Sequence, residues 1–259
     1  MTKITKLVLP VAGLGKRLWP LTKDTPKNLI KINGRPLLEY VLEEAVSSGI
    51  KEVILIINPA HRRQFESYIV SAEKKFPSLR FFVRQQATPG GNGHALTQAY
   101  DLVRNAPFAV RFCDDIILSR PPVLGTLLNL FSTYKVPILL LERVPKNLVS
   151  RFGVVGVRRV KSRIYQIKKI VEKPRASLAP SNLTIVGGYV LTPHIVRNLK
   201  SVADTLPVIA DDALPLAVAL QIELIIGGKI YGWEFKGKRL DCGTIEKLRK
   251  ANDFLKKSG

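Results

Sequence analysis

"KLVLPVAGLGKRLWPLTKDTPKNL", residues 6 to 29, sets an apolar run against a loop carrying Gly13, Gly15, Lys16, Arg17 and Lys27. The apolar run reads as a buried strand. In the loop, glycines let backbone N–H groups approach an anion, and the neighbouring cations neutralise it. Both familiar phosphate motifs fail here. Gly13-x-Gly15-x-x reaches Leu18 rather than a third glycine, so the dinucleotide fingerprint is incomplete. A Walker loop needs Gly-Lys followed by Ser or Thr, whereas Gly15-Lys16 is followed by Arg17, and Pro10 takes the place of the first glycine. The same residues also suit a plain strand-to-loop turn with solvated cations, and Lys27 after Pro26 suits a surface lysine. The loop alone leaves both readings open.

Outward from this stretch, strand-like and helix-like patterns alternate, as in a mostly parallel sheet flanked by helices. Pro36 stands at an expected first helical position, with Leu37, Leu38, Val41, Leu42, Ala45 and Val46 on one face and Gly49 at the end. "EVILIIN", "HRRQFESYIVSAEKKF" and "LRFFVRQ" continue as strand, helix and strand. A loop, "QATPGGN", leads to a helix expected from about Gly93 to Asn105. The strand "FAVRFC" then ends in Asp114-Asp115, and helix 121–134 and "VPILLLERV" complete the alternation. From Arg151 the runs "FGVVGV", "IYQIKKIVEKP" and "NLTIVGGYVL" follow at short gaps. They predict a strand-rich second half packed on the first sheet. A terminal helix from Thr244 places Ile245, Leu248, Ala251 and Leu255 on one stripe.

With 259 residues and 46% hydrophobic content, the chain can bury one large core. No linker divides it, so it reads as a single domain over 1–259, with halves meeting at about residue 150. No run approaches the roughly 18 apolar residues of a membrane span, and "MTKITKLVLPVAG" lacks the pattern of a secretory signal. Cys113 and Cys242 give neither a disulfide framework nor metal-ligand spacing and fit a reducing cytoplasm. The net charge of +21 attracts polyanions: nucleic acid, anionic membrane or phosphorylated metabolites. It is spread along the chain, and its densest cluster, "VRRVKSRIYQIKK", alternates with apolar residues like a solvated strand face. No series of interleaved aromatics forms a stacking platform. A basic nucleic-acid-binding protein is therefore the rival of a different class rather than the expected reading, and neither nucleic acid nor membrane is the expected partner. His61, His94 and His194 are too scattered for a transition-metal site.

Three polar features follow predicted strands: the Gly-Arg loop, the Gln86 loop and Asp114. If those strands are parallel, all three share one sheet edge, where ligands of open α/β sheets bind. Successive strand side chains alternate, so only one of Asp114 and Asp115 is expected to face the cleft. A carboxylate there, with Asp241 of "RLDCGT" as a second, suits Mg²⁺, which takes one or two carboxylates plus phosphate oxygens. Strand-end capping is the plain alternative for Asp114, and a turn for Asp241. Gln86 offers an amide that can pair with a base edge, and Gly91 offers backbone N–H groups at close range. Glu172-Lys173 sets an acceptor beside a donor, as a polyol phosphate requires, or forms a surface ion pair of little energetic weight.

Together these stretches resemble the sugar-1-phosphate nucleotidyltransferases, and among them the bacterial-type UTP–glucose-1-phosphate uridylyltransferases. "VAGLGKRLWP", "TPKNL", "GNGHA", "FCDDIIL", "FGVV", "VEKP", "APSNLTIVGGYVL" and "DCG" occur in the family's order over nearly the whole chain. The resemblance implies a Rossmann-like nucleotide-binding half, a sugar-phosphate-binding half from about residue 151, and Mg²⁺-dependent formation of UDP-glucose and pyrophosphate from UTP and glucose 1-phosphate. Carried over by position, Ala12, Gly13 and Gly15 would bind the nucleotide, and Arg17 and Lys27 would serve catalysis at its triphosphate. Gln86 and Gly91 would read the uracil. Gly153, Glu172 and Gly187 would surround the sugar, Lys173 would hold its phosphate, and Asp114 and Asp241 would hold Mg²⁺. A thymidylyltransferase, or an enzyme accepting both pyrimidines, is the rival within the class. A homo-oligomer is the expected assembly. Lys16 stands where the family often has Thr, Asn28 where it has an acid, and Lys31 where it has proline. "DDALPLAVAL", residues 211–220, departs from the family's "QLTDA".

Overall fold

In the computed structural model, which describes residues 3–205 and 214–258, the first apolar run forms β1 (Lys6–Pro10). Residues 211–213, which open the "DDALPLAVAL" stretch, lie outside the described residues. Two short hairpin strands, β2 (Lys31–Ile32) and β3 (Arg35–Pro36), lead into α1 (Leu37–Ser47). Then come β4 (Glu52–Ile57), α2 (Arg62–Lys75), β5 (Arg80–Gln85), α3 (Gly91–Thr97), α4 (Tyr100–Val103) and β6 (Phe108–Arg111). Next are β7 (Asp115–Ser119), α5 (Val123–Tyr134), β8 (Ile138–Arg143), β9 (Gly153–Lys161), β10 (Ile164–Glu172) and β11 (Leu183–Leu191). The chain closes with α6 (Pro193–Thr205), α7 (Leu216–Ile225), β12 (Ile230–Glu234), β13 (Gly237–Asp241) and α8 (Ile245–Ser258).

Strand periodicity sorts the core. Val8, Ile54, Ile56, Val110 and Leu139 face one layer, under α3, α4, α6 and α7. Leu7, Leu9, Val53, Leu55 and Ala109 face the opposite layer, under α1 and α2. This is the expected α/β sheet flanked by helices. α1 buries Leu37, Leu38, Val41, Leu42 and Ala45, but Val46 is 39% exposed, so the stripe is narrower than expected. Pro36 caps α1 from outside rather than opening it. The helix expected over 93–105 is two pieces, α3 and α4, the first starting already at Gly91. The stripe Ile245, Leu248, Ala251 and Leu255 does turn α8 onto Leu18, Ile116, Leu240 and Cys242.

Strand order is β5-β4-β1-β6-β11-β8-β12-β10-β9. β5, β4, β1 and β6 run parallel, so the segments after β1, β5 and β6 leave from one edge, as the reading required. The later strands do not pack on that sheet; they are spliced into it. β11 lies antiparallel between β6 and β8, and β12 lies parallel to β8 on its other side. β10 and β9 extend the edge antiparallel. A separate ribbon pairs β7 with β13 and sets Asp115 opposite Asp241. No described helix is long and apolar enough to cross a membrane.

Candidate active site

At that edge, on the side toward β11, lies a cavity of about 840 Å³. Arg17, Asp114, Gly153, Glu172, Lys173, Gly187 and Asp241 all line it, brought from residues far apart in the chain. Arg17 stands in a single turn (Lys16–Leu18) after β1, Asp114 between β6 and β7, and Asp241 at the end of β13. Gly153 begins β9, Glu172 ends β10, and Gly187 sits where the β11 register slips between Ile185 and Tyr189. Lys27 joins through its partner: its Nζ lies 2.5 Å from Asp114 Oδ2.

The loop after β1 is folded on itself to aim these cations. Gly15 has φ of +65°, and its carbonyl accepts from Leu18 N–H at 2.8 Å and from Thr22 Oγ1 at 3.0 Å. A Cβ there would lie 2.8 Å from Thr22 Cγ2 and 3.1 Å from Lys27 Cβ. Gly13 borders open space, with nothing within 4 Å of its would-be Cβ. Gly15→Ala therefore has to pay the left-handed backbone cost of roughly 1–2 kcal/mol and displace Lys27 as well. We expect a lower melting temperature and a kcat/KM reduced about tenfold or more. Thermal melts and steady-state kinetics check both.

Ala12, Gly13, Gly15, Gln86 and Gly91 do not line the cavity, although the first four lie on loops leaving the same sheet edge and Gly91 opens α3 just after the Gln86 loop. Gln86 and Gly91 are brought together: buried Gln86 donates from Nε2 to the Gly91 carbonyl at 3.0 Å, and the same nitrogen lies 3.1 Å from His94 Nδ1. Burial lowers the His94 pKa, against a backbone hydrogen bond at Thr88, which favours the neutral ring that acceptance from the amide requires. The start of α3 is tied to the start of α7, with Gly93 N–H donating to Leu214 O and Leu216 N–H to Asn92 Oδ1.

Asp115 corrects the alternation argument. β6 stops at Arg111, the chain turns, and Asp115 opens β7, so both aspartates line the cavity. Arg239 reaches Asp115 Oδ1 from Nη1 at 2.9 Å and Glu142 Oε2 from Nε at 2.6 Å, and its guanidinium lies 5.1 Å from the Phe152 ring centre. Burial and then the Asp114 charge push the Asp115 carboxyl up to about 6 against the pull of Arg239. Asp241 moves the other way. Burial works to raise it, but Lys247 Nζ at 2.5 Å from Oδ2, the Gly243 N–H at 2.8 Å from Oδ1 and the Arg239 charge leave it below the usual carboxylate range. Sequence reasoning passed over Asp115, Arg239 and Lys247. Arg239 was within reach, since strand periodicity sets it on the same face as Asp241.

The carboxylates offer hard oxygen donors of the kind Mg²⁺ prefers, with no thiolate or imidazole among them. Among the described residues no group of three or more His, Cys, Asp or Glu side chains could hold a metal by itself. Asp114 and Asp241 face one cavity and offer such oxygens, and an ion held there would complete its shell with phosphate oxygens.

The profile of the nucleotidyl transferase family matches residues 6–258. The chain is 33% identical to the UTP–glucose-1-phosphate uridylyltransferase of Staphylococcus haemolyticus, over 96% of this chain and 90% of that protein. It is also 33% identical to the enzyme of that name from Bacillus subtilis, over 96% and 89%. A crystal structure of UDP-glucose pyrophosphorylase complexed with UDP-glucose superposes with a TM-score of 0.89 at 31% identity, covering 99% of this chain and all of that one.

Proposed function

The chain belongs to the nucleotidyl transferase family, and on that premise we propose that it makes UDP-glucose and pyrophosphate from UTP and glucose 1-phosphate. The observation that carries the reading is the convergence of Arg17, Asp114, Glu172, Lys173 and Asp241 on one cavity, with Lys27 bound to Asp114. Both reactants are anions, and the chain supplies cations from two directions. Arg17 and Lys27 approach from the loop after β1, and Lys173 approaches from the end of β10.

A phosphate oxygen of the sugar phosphate attacks the α-phosphorus of UTP. The bond from that phosphorus to the bridging oxygen of the β-phosphate breaks, and pyrophosphate leaves with the electron pair. No protein nucleophile takes part; the chain's work is positioning and charge neutralisation. Arg17 grips the triphosphate, with Ala12, Gly13 and Gly15 forming the backbone beside it. Lys27 adds its charge at the reacting phosphates. The Gln86 amide oxygen accepts from the uracil imide, with Gly91 at its side. Lys173 holds the sugar phosphate, and Gly153, Glu172 and Gly187 border the sugar. Asp114 and Asp241 would hold Mg²⁺, which would supply further charge neutralisation when bound. Two buried free thiols suit the reducing cytoplasm in which we place the reaction, and self-association belongs to the same proposal.

The test is pyrophosphate release across a panel of nucleoside triphosphates and sugar 1-phosphates. UTP with glucose 1-phosphate is expected to lead it. Turnover with dTTP but not UTP would reject the base assignment. Salt-sensitive RNA binding without any pyrophosphate release would replace the enzyme reading by a nucleic-acid-binding one.

A further inference from the structure

Among the described residues, the largest fully buried side chain is a charged one. Arg111, at the end of β6, is 1% exposed and lies behind the wall of the active cavity rather than in it. Its Nε donates to Glu44 Oε2 at 3.1 Å, its Nη1 to the Gly187 carbonyl at 2.6 Å and its Nη2 toward the Asp115 carbonyl at 3.5 Å. Glu44, on α1, uses its other oxygen to accept the Leu124 N–H at the start of α5, at 2.7 Å. One guanidinium fork thus ties two helices to two stretches of cavity wall.

Stability does not account for this pair, because buried ion pairs are commonly no better than apolar side chains of similar volume. Geometry does. Gly187 lies where β11 leaves register with β8, so the backbone ladder holds it from the β6 side alone. On that side its carbonyl accepts from the Phe112 N–H at 2.9 Å, and Arg111 Nη1 adds the second bond. It has little room to move, since a Cβ at Gly187 would lie 2.9 Å from Phe112 Cβ and 3.3 Å from Asp115 Oδ2. A second cavity, of about 380 Å³, is lined by Arg111, Glu44 and Asp115, and Asp115 borders the first cavity as well.

We propose that Arg111, oriented by Glu44, is a positioning residue for the sugar phosphate, holding the Gly187 and Asp115 backbone at the spacing the sugar side of the cavity needs. This rests on the reading that Gly187 borders the sugar. Arg111→Lys keeps a positive charge against Glu44 but gives up the planar fork that reaches two carbonyls. The KM for glucose 1-phosphate is expected to rise about tenfold or more, because small displacements of positioning groups are costly. The KM for UTP and the melting temperature should stay near those of the unsubstituted protein. The double variant Arg111→Leu, Glu44→Gln removes both charges and keeps an acceptor for Leu124. It should melt close to the parent and yet retain the raised KM for the sugar phosphate. A KM for glucose 1-phosphate that returns to the parent value in the double variant overturns the proposal. So do parallel shifts in both KM values, and so does failure of both variants to fold; each makes the pair structural only. A parent protein inactive on UTP and glucose 1-phosphate would instead sink the functional reading, which separates the two failures.

Discussion

Asp114→Ala is expected to abolish measurable turnover, a fall in kcat of at least about a thousandfold. Two losses coincide at this position. The carboxylate that would face the metal disappears, and Lys27, 2.5 Å away, is left without its counter-charge. An unneutralised ammonium at that place repels a divalent cation and can draw the triphosphate out of line. The fold should survive, because the Asp114 side chain is 34% exposed and no packed apolar side chain is lost with it. Lys27, at 13% exposure, loses its partner, so the melting temperature should fall modestly. Pyrophosphate release at saturating substrates, read beside a thermal melt, checks both halves. Turnover at the parent rate would remove Asp114 from the metal site.

Arg17→Ala ranks next, with a loss of roughly a hundredfold or more in kcat/KM for UTP. Arg17 is exposed on its turn and lines the cavity, so its removal should hardly touch the melting temperature. Arg17→Lys separates charge from shape. The ammonium keeps the positive charge but not the planar donor fork that matches phosphate oxygens, so partial activity between the parent and the alanine variant is expected. A lysine variant as poor as alanine would assign the whole effect to the fork. Parent-like kinetics for the alanine variant would exclude Arg17 from the triphosphate.

How much of this was legible in the sequence varies with the range of the interactions involved. Apolar runs such as "EVILIIN" and "KLVLP" identify buried parallel strands because both faces are apolar, and β4 and β1 follow them closely. The shared edge of Arg17, Gln86 and Asp114 followed from that parallelism. What local pattern could not reach was strand order. The placing of β11 between β6 and β8 depends on pairing across many residues, and nothing within "NLTIVGGYVL" announces its neighbours. Asp115 was set aside because alternation was applied past the true end of β6, where it no longer holds. Arg111 stood in plain view inside "FAVRFC", a charge in an apolar strand. Nothing near Glu44 in the sequence marks it as the partner, because the pair depends on α1 packing beside α5.

The spliced sheet bears on how such a protein can be divided. β8 comes from the first half of the chain, yet both its sheet neighbours, β11 and β12, come from the second. A fragment ending near residue 150 would leave β8 with no partner on either side and β6 with one bare backbone edge, an invitation to aggregation. The two halves of the chain are therefore not cassettes that recombination could shuffle among relatives, and a change in the proposed sugar preference would have to come through substitutions within one shared sheet.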